Sequence, residues 1–337
     1  MSTPVAELRT QALRLVMAFR VSQCVRVAAS LRLPELLAAG PRSDAELAAA
    51  TGTNRPSLRR LLRTLVALGL LTEDGSDRFA VTRLGQELSA ERAGPAAEFF
   101  PAEVHWAAWQ RLDHSIRTGE RAFDLVHGMR NWELYARSPE WGARFDAAMR
   151  ATTGHVAAAL PRAHDFSRYT TVVDVGGGDG TVLIEVLRAN PKVRGVLFDR
   201  PDVVARAETR FAASDVAGRV QTASGSFLEG VPGGGDAYIL KSILHDWEDE
   251  SARAILSRVR EAARGGADLL LVERVLPERP GPEDLDSLLG DLNMMVNNGG
   301  QERTVREFEQ LMETTGFRLA EVLPTGTASE VLRGVAV

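Results

Sequence analysis

The sequence predicts a mostly helical N-terminal part followed by an α/β part built on a parallel sheet. From Thr171 onwards, short apolar runs rich in β-branched residues alternate with helical segments, as in parallel sheets that helices cover on both faces. A glycine-rich turn at residues 176–180 joins the first of these strands to a helix, whereas earlier residues show helical patterns and one short hairpin. We expect three parts: a helical domain over residues 1–95, a helical linker over residues 96–165 and the α/β domain over residues 166–337.

Composition and charge restrict the class of protein. The 337 residues are 45% hydrophobic and 25% charged, which is typical of a globular chain with a sizeable core. The formal net charge of −5 argues against a dedicated nucleic-acid binder. Cys24 is the single cysteine, so no internal disulfide framework can form and a reducing cytoplasm is the expected compartment. Neither a signal pattern nor an apolar run of ~18–20 residues is present, so no membrane association is expected.

The N-terminal residues resemble the pattern of a winged helix. An apolar helical period over residues 5–31 favours a helix that packs against a partner subunit. Ser43 and Glu46 form a capping-box pattern, and Pro56 lies near the start of the next helix, which a hairpin with a turn at residues 74–75 follows. That helix carries arginines 55, 59, 60 and 63, so DNA binding through phosphate contacts stays open beside a solvated helix face.

The α/β part is expected to contain five parallel strands and a final hairpin. The expected strands are residues 171–175, 195–199, 220–223, 237–244 and 267–273, and the expected helices are residues 181–189, 203–213 and 250–264. Residues 318–323 and 330–335 are expected to add an antiparallel hairpin at one end of the sheet.

The glycine-rich turn follows an acid on the strand, Asp174. The pattern G-x-G-x-x-G of dinucleotide sites would require glycine at position 181, where this chain has Thr181. Glycine at 176 and 178 lets a ligand approach the backbone, and the turn has the form seen in enzymes that use S-adenosylmethionine (SAM). Asp199 ends the next strand, where a carboxylate can accept the two hydroxyls of a ribose.

Two later strand ends carry a histidine and an acid. His245 lies at the end of the expected fourth strand, where ligands bind in open α/β sheets, and Glu273 closes the fifth. If these strands are neighbours, their ends lie about 5 Å apart, and the carboxylate can orient the imidazole as in catalytic triads. A metal site at His245 and Asp246 is conceivable, but no third nearby histidine supports it, so no metal is expected.

Five motifs taken in order resemble those of the small-molecule O-methyltransferases typified by plant caffeic acid and isoflavone enzymes and by bacterial antibiotic-tailoring relatives. They are residues 174–180, 198–201, 240–247, 272–277 and 299–304, and the resemblance covers essentially the whole chain. It implies a homodimer formed by the N-terminal domain, a Rossmann-like SAM-binding sheet, and methylation of a hydroxyl on a small aromatic or polyketide-type natural product. S-adenosylhomocysteine (SAH) would be the product.

The resemblance also assigns roles to residues. His245 would be the general base, flanked by Glu273 and Glu302. The residues expected to bind the cofactor are Asp174, Gly176, Gly178, Asp199, Arg200, Ser226, Phe227 and Lys241. The residues expected to face the substrate are Phe145, Met149, Asp246, Met294, Asn297 and, from a tryptophan-rich segment suited to a flat ligand, Trp132.

The chain departs from the plant pattern at two positions. Ser226 follows Gly225 where plant members usually have Gly-Asp, and Asn298 stands where they usually have proline. Because the second position borders the substrate, plant substrates cannot be carried over. C- or N-methylation, SAM-assisted hydroxylation or decarboxylation, and a SAM-responsive DNA-binding regulator remain as alternatives.

Overall fold

The computed structural model describes residues 5–337, which divide into two compact units. The first contains the described residues up to Trp106 together with Ala143–Ala151, and the second contains Ala107–Gly142 and Thr152–Val337. The boundaries expected at residues 95 and 165 stay a prediction.

The N-terminal elements are α1 Val5–Val16, α2 Phe19–Ser30, α3 Leu33–Ala38, β1 Arg42–Ser43, α4 Asp44–Thr51, α5 Arg55–Ala67, β2 Leu71–Glu73, β3 Arg78–Val81, α6 Arg83–Gln86, α7 Gly94–Phe99 and α8 Glu103–Trp109. The helices that follow are α9 Leu112–Thr118, α10 Ala122–His127, α11 Asn131–Arg137 and α12 Pro139–Ala163. The remaining elements are β4 Thr171–Val175, α13 Thr181–Ala189, β5 Arg194–Asp199, α14 Pro201–Ala212, β6 Val220–Ser224, β7 Ala237–Lys241, α15 Asp249–Ala262, β8 Asp268–Glu273, β9 Val275–Leu276, α16 Leu285–Asn297, β10 Arg303–Thr304, α17 Val305–Thr314, β11 Phe317–Pro324 and β12 Glu330–Ala336.

The first unit has the predicted helices and hairpin, with one break. The Ser43 side chain and Glu46 form the predicted capping box of α4, and Asn54 caps α5 through the backbone N–H of Ser57. The predicted continuous helix over residues 5–31 is wrong at Met17 and Ala18. There Ala18 N–H bonds to Leu15 C=O three residues back, so the chain tightens and α2 starts anew.

The arginines of α5 that raised the DNA-binding alternative are partly occupied by acids of the same unit. Arg55 and Arg59 both pair with Asp44, at 3.0 and 3.2 Å, and Arg59 also pairs with Asp77 at 2.7 Å. Their charge is therefore partly compensated within the unit, which favours a structural role for this helix face.

The second unit is built on one mixed sheet. Its seven strands lie in the order β11-β12-β8-β7-β4-β5-β6 in the described part of the chain. The five strands from β8 to β6 are parallel, and β12 pairs antiparallel with β8 and with β11, so the predicted final hairpin is confirmed. Apolar side chains of α13 pack on one face and those of α15 and α17 on the other, as the alternating pattern predicts.

The predicted fourth strand is too long. β7 ends at Lys241, Ser242 adopts a φ of 53°, and residues Leu244–Asp246 form a 3₁₀ turn. The N–H groups of Ile243 and Leu244 donate to the Glu273 carboxylate, so they are paired without a neighbouring strand. His245 therefore lies on a turn just beyond the carboxyl edge of the sheet.

Among residues 5–337, no helix is both long and apolar enough to cross a membrane.

Candidate active site

The glycine turn after β4 leaves room for a ligand at the carboxyl edge of the sheet. Gly176 and Gly178 have φ values of 70° and 58°, which L side chains rarely adopt. A Cβ on Gly176 would lie 2.5 Å from Cδ1 of Ile243, whereas a Cβ on Gly178 would meet no atom within 4 Å. The turn is therefore closely packed on one side and open at Gly178.

A buried acid lies beneath this turn. Asp174 is buried, its Oδ2 has no hydrogen-bond partner in residues 5–337, and a Cβ on Gly177 would lie 2.7 Å from that atom. Burial, reinforced by the charge of Asp199, raises the pKa of Asp174 to about 7. An unpartnered acceptor beside an open glycine turn fits SAM, because SAM carries an ammonium group that can donate hydrogen bonds.

Asp199 is fixed at the tip of β5 by backbone groups. Its Oδ2 accepts from Gly178 N–H at 2.9 Å and its Oδ1 from Arg200 N–H at 2.7 Å. Burial raises the pKa of Asp199, and these two hydrogen bonds oppose the rise. A carboxylate has about four acceptor positions, so the arrangement leaves capacity for ribose hydroxyls. The Arg200 guanidinium pairs with Asp202 at 3.1 Å, whereas its backbone N–H bonds to Asp199.

The other predicted cofactor residues are engaged within the second unit. Lys241 Nζ donates to Thr153 Oγ1 at 3.0 Å, and burial lowers the pKa of its ammonium group. The Ser226 hydroxyl accepts from Leu228 N–H at 3.3 Å, and the Phe227 ring packs edge-on against Trp247, 5.8 Å between centroids. Their contacts to a cofactor stay predictions.

Three carboxylates surround His245. Its Nδ1 lies 3.0 Å from Glu302 Oε1 and 4.0 Å from Glu273 Oε2, and its Nε2 lies 3.7 Å from Asp246 Oδ1. β7 and β8 are neighbours, with Lys241 opposite Val272, as the predicted meeting of His245 and Glu273 requires. His245 and Glu273 nevertheless lie at an ion-pair distance and do not make the expected direct contact, because the hydrogen bond of His245 Nδ1 goes to Glu302.

Glu273 positions the histidine in another way. Its Oε1 accepts the N–H groups of Ile243 and Leu244, each at 2.9 Å, so a carboxylate from β8 holds the turn that carries His245. The backbone conformation at His245 thus depends on this buried acid.

Arg303 is a site residue that the sequence analysis did not single out beyond its place in a motif. Its buried guanidinium donates to the C=O groups of Leu244 and Trp247, each at 2.8 Å, and bonds to Asp249. It thereby ties the segment that carries Glu302 to the turn that carries His245. The short parallel pair of β9 and β10 supports the same approach.

The charges of this cluster shift several pKa values. Burial lowers the pKa of His245, but the carboxylates of Asp246 and Glu273 and the hydrogen bond to Glu302 outweigh it and raise that pKa to about 9. Burial raises the pKa of Glu273 to about 7 and that of Asp246 to about 6, although His245 lowers both. The imidazole is therefore a stronger base than free histidine.

The cluster also has the spacing of a metal site. Ligand atoms of His245, Glu273 and Glu302 all lie within 4.8 Å of one another, and Oε2 of each glutamate has no hydrogen-bond partner in the described chain. This set differs from the metal alternative of the sequence, which named His245 and Asp246 and had no third ligand. One nitrogen and two carboxylate ligands would suit a divalent ion.

The predicted substrate residues fall in both units. Trp132 on α11 packs edge-on against Tyr135 at 5.9 Å, while Met294 and Asn297 lie on α16, where Asn297 Nδ2 donates to Asn293 Oδ1 at 2.8 Å. Phe145 and Met149 lie on the part of α12 that belongs to the first unit. Their place at the site stays a prediction.

Family models and known proteins match most of this chain. Residues 109–318 match the model of the O-methyltransferase domain, and residues 13–90 match that of the O-methyltransferase dimerisation domain. Among curated relatives, the O-demethylpuromycin-O-methyltransferase of Streptomyces alboniger is 41% identical over 92% of this chain and 84% of its own length. The mitomycin biosynthesis 6-O-methyltransferase of Streptomyces lavendulae is 38% identical over 90% and 88%. The 8-amino-8-demethylriboflavin N,N-dimethyltransferase of Streptomyces davaonensis is 36% identical over 94% and 93%.

Two solved structures are similar over the whole chain. The crystal structure of LaPhzM has a TM-score of 0.93 and 37% identity, and the match covers 99% of this chain and 100% of that one. The SAH-bound structure of CalO1, a methyltransferase in calicheamicin biosynthesis, has a TM-score of 0.88 and 33% identity, with both chains fully covered. The chain therefore belongs to the O-methyltransferase family, whose members use SAM as the methyl donor.

Proposed function

We propose that this chain methylates a hydroxyl group of a small aromatic or polyketide-type natural product and that His245 removes the proton from that hydroxyl. The observation that carries the proposal is the hydrogen bond between His245 Nδ1 and Glu302 Oε1, in a cluster of carboxylates beyond the glycine turn. Two relatives are named as O-methyltransferases of a dihydroxynaphthoate and of an aminohydroxybenzoate, which supports this class of acceptor.

The residues that would hold SAM line the carboxyl edge of the sheet. Gly176 and Gly178 would let it approach the backbone, Asp199 would accept its ribose hydroxyls, and Asp174 would face its charged end. Arg200, Ser226, Phe227 and Lys241 complete the proposed cofactor site. When bound, SAM supplies an electrophilic methyl group on a sulfonium.

His245 would act through Nε2. The hydrogen bond to Glu302 places the proton of a neutral imidazole on Nδ1, which leaves the lone pair of Nε2 free to accept the hydroxyl proton. A phenol has a pKa of about 10, and the pKa of His245 is raised to about 9. Proton transfer between groups so closely matched costs little free energy, and the Glu273 and Glu302 carboxylates stabilise the imidazolium that forms.

We propose that Trp132, Asp246, Met294 and Asn297 contact the acceptor, together with Phe145 and Met149. Asp246 lies beside Nε2 of His245, the nitrogen proposed to take the proton. The aromatic and thioether side chains of this set suit a flat ring.

We also propose a homodimer formed through the N-terminal helices. Leu15 and Phe19 are 77% and 52% exposed, and Leu8, Leu13, Val16 and Val21 add to an exposed apolar surface on α1 and α2. An apolar surface of this kind is typical of a subunit interface. The single cysteine keeps the reducing cytoplasm as the proposed compartment.

The test is methyl transfer from labelled SAM to a mixed panel of phenols, hydroxynaphthoic acids and aminohydroxybenzoic acids. Mass spectrometry with fragmentation locates the added methyl group, and the proposal expects it on oxygen. A methyl group on nitrogen instead would favour the second candidate, N-methylation, which the N,N-dimethyltransferase relative supports. A methyl group on carbon, a hydroxylated product or a decarboxylated product would overturn the proposed acceptor.

Two further measurements separate the remaining alternatives. Dialysis against a chelator should leave turnover unchanged, whereas loss of activity that zinc or manganese restores would establish the metal site at His245, Glu273 and Glu302. SAM-dependent binding of duplex DNA at low salt would support the regulator, and its absence is the expected result.

A further inference from the structure

A chain of side-chain amides runs from α11 to Asp246. Asn131 Nδ2 donates to Asn298 Oδ1 at 3.0 Å, and Asn298 Nδ2 donates to Asp246 Oδ1. That carboxylate oxygen is also the one that lies 3.7 Å from His245 Nε2. The amide of Asn298 is thus one hydrogen bond away from the neighbour of the proposed base.

The orientation of the two asparagine amides is fixed at Asn131. The backbone N–H of Trp132 donates to Asn131 Oδ1 at 2.8 Å, and a backbone N–H cannot accept. Asn131 must therefore present its NH₂ group to Asn298, and Asn298 must present its own NH₂ group to Asp246. Reversing either amide would set two acceptors or two donors against each other, so each orientation is determined by the network.

We propose that Asn298, held by Asn131, is a positioning residue that fixes the carboxylate of Asp246 beside the imidazole of His245. The proposal rests on the proposed role of His245 as the base, and it gives a purpose to the asparagine at a position where plant relatives usually have proline. Proline has no side-chain amide and could not make either bond.

Electrostatics support this role. The hydrogen bond from Asn298 lowers the pKa of Asp246 against the effect of burial, and Asp246 is the first of the charges that raise the pKa of His245. The other charged groups that act on this pair are Glu273 and Glu302 on His245, and Lys241 and Glu302 on Asp246, while the phenol of Tyr135 also lies near Asp246. Loss of the amide would therefore favour protonated Asp246 and weaken proton binding by His245.

The experiment measures proton binding by His245 directly, so it needs no acceptor molecule. NMR spectra of the full chain with ¹³C-labelled histidine rings are recorded from acid to alkaline pH, and His245→Gln identifies the signal. In Asn298→Ala, the pKa of His245 should fall by about one pH unit, a roughly tenfold weaker proton affinity. Asp246→Asn should lower it at least as much, and the double variant should fall no further than Asp246→Asn alone, because Asn298 acts through Asp246.

Other variants keep the test decisive. Asn131→Ala leaves Asn298 in place but removes its far support, together with the Asn131 hydrogen bonds to Trp132 N–H and Tyr135. It should give a smaller fall in the same direction, which covers the case in which Asn298→Ala does not fold. Asn190→Ala removes a partly buried amide that bonds to Val186 C=O, away from the cluster, and should leave the His245 titration unchanged. An unchanged titration in folded Asn298→Ala, or additive effects of Asn298→Ala and Asp246→Asn, would overturn the proposal. Failure of methyl transfer in the wild-type chain would instead concern the proposed function and would not alter this titration.

Discussion

Glu302 and His245 are 57 positions apart in the sequence, yet Glu302 Oε1 lies 3.0 Å from His245 Nδ1. Two interactions hold Glu302 in place. Its N–H donates to Asp291 at 2.8 Å, and the adjacent buried Arg303 donates to C=O groups of the turn that carries His245. One carboxylate thus selects which imidazole nitrogen carries the proton.

Replacing Glu302 should slow proton removal by His245 without lowering the affinity for SAM. We expect Glu302→Gln to reduce turnover by about 10-fold or more, because a neutral amide no longer stabilises the imidazolium. SAM affinity should change little. Glu309→Gln removes an exposed glutamate of α17 and is the matched control. Full turnover in Glu302→Gln would remove the pairing from the mechanism.

The rate should depend on the protonation of His245. A base works when it is deprotonated, so the raised pKa of about 9 predicts that kcat/KM rises with pH up to that value. Below it, the neutral fraction grows about tenfold per pH unit. Profiles of kcat/KM against pH, measured for acceptors with different phenol pKa values, separate ionisation of His245 from ionisation of the acceptor. If kcat/KM rises with the same apparent pKa for every acceptor, that pKa belongs to the enzyme. If the apparent pKa instead follows the phenol pKa of each acceptor, the assignment of the rise to His245 is contradicted.

Asp174 should destabilise the ligand-free protein at neutral and alkaline pH. Its pKa is about 7 when folded and about 3.9 when unfolded, so the folded state binds its proton more tightly and stability is lost as pH rises from ~4 to ~7. Asp174→Asn should therefore raise the free energy of unfolding at pH 8, by about 1 kcal/mol or more, with little change near pH 4.

The same substitution should weaken SAM binding, because the amide cannot offset the charge of SAM. Denaturation curves at several pH values and calorimetric titration with SAM measure both effects, with the exposed Asp113→Asn as control. Equal stability of Asp174→Asn and wild type at pH 8 would show that Oδ2 of Asp174 finds a partner in solution.

The exposed apolar surface of α1 and α2 should hold two copies together. We expect Leu15→Glu combined with Phe19→Glu to give a monomer in light scattering after size exclusion, because two charges would be buried in an apolar interface. Val337→Glu, at a residue that is 68% exposed, should remain dimeric. A double variant that stays dimeric would place the interface elsewhere.

Much of the fold could be predicted from local pattern. Strand β4 and helix α13 have the predicted bounds, because a β-branched run ends at glycines and an apolar helical period begins at Thr181. The predicted fourth strand was wrong beyond Lys241, where apolar residues continue but Glu273 takes the backbone N–H groups that a strand would use.

The contacts of the site were harder to predict. Alternation predicted a parallel sheet, but the approach of Glu273 to His245 was predicted only on the condition that β7 and β8 are neighbours, which they are. Glu302 entered only through the resemblance, since its approach depends on loop packing that no periodicity encodes. The bond between Asn131 and Asn298 joins two helix termini far apart in sequence, and the single signal in the sequence was an asparagine in place of proline.

The most direct test of the account compares wild type with His245→Gln in the labelled-SAM assay. The account predicts that wild type adds one methyl group to a phenolic oxygen and that the variant, with SAM affinity retained, turns over roughly 10²-fold more slowly or worse. A variant that methylates the same oxygen at the wild-type rate would contradict the role of His245 and leave alignment of donor and acceptor as the source of catalysis.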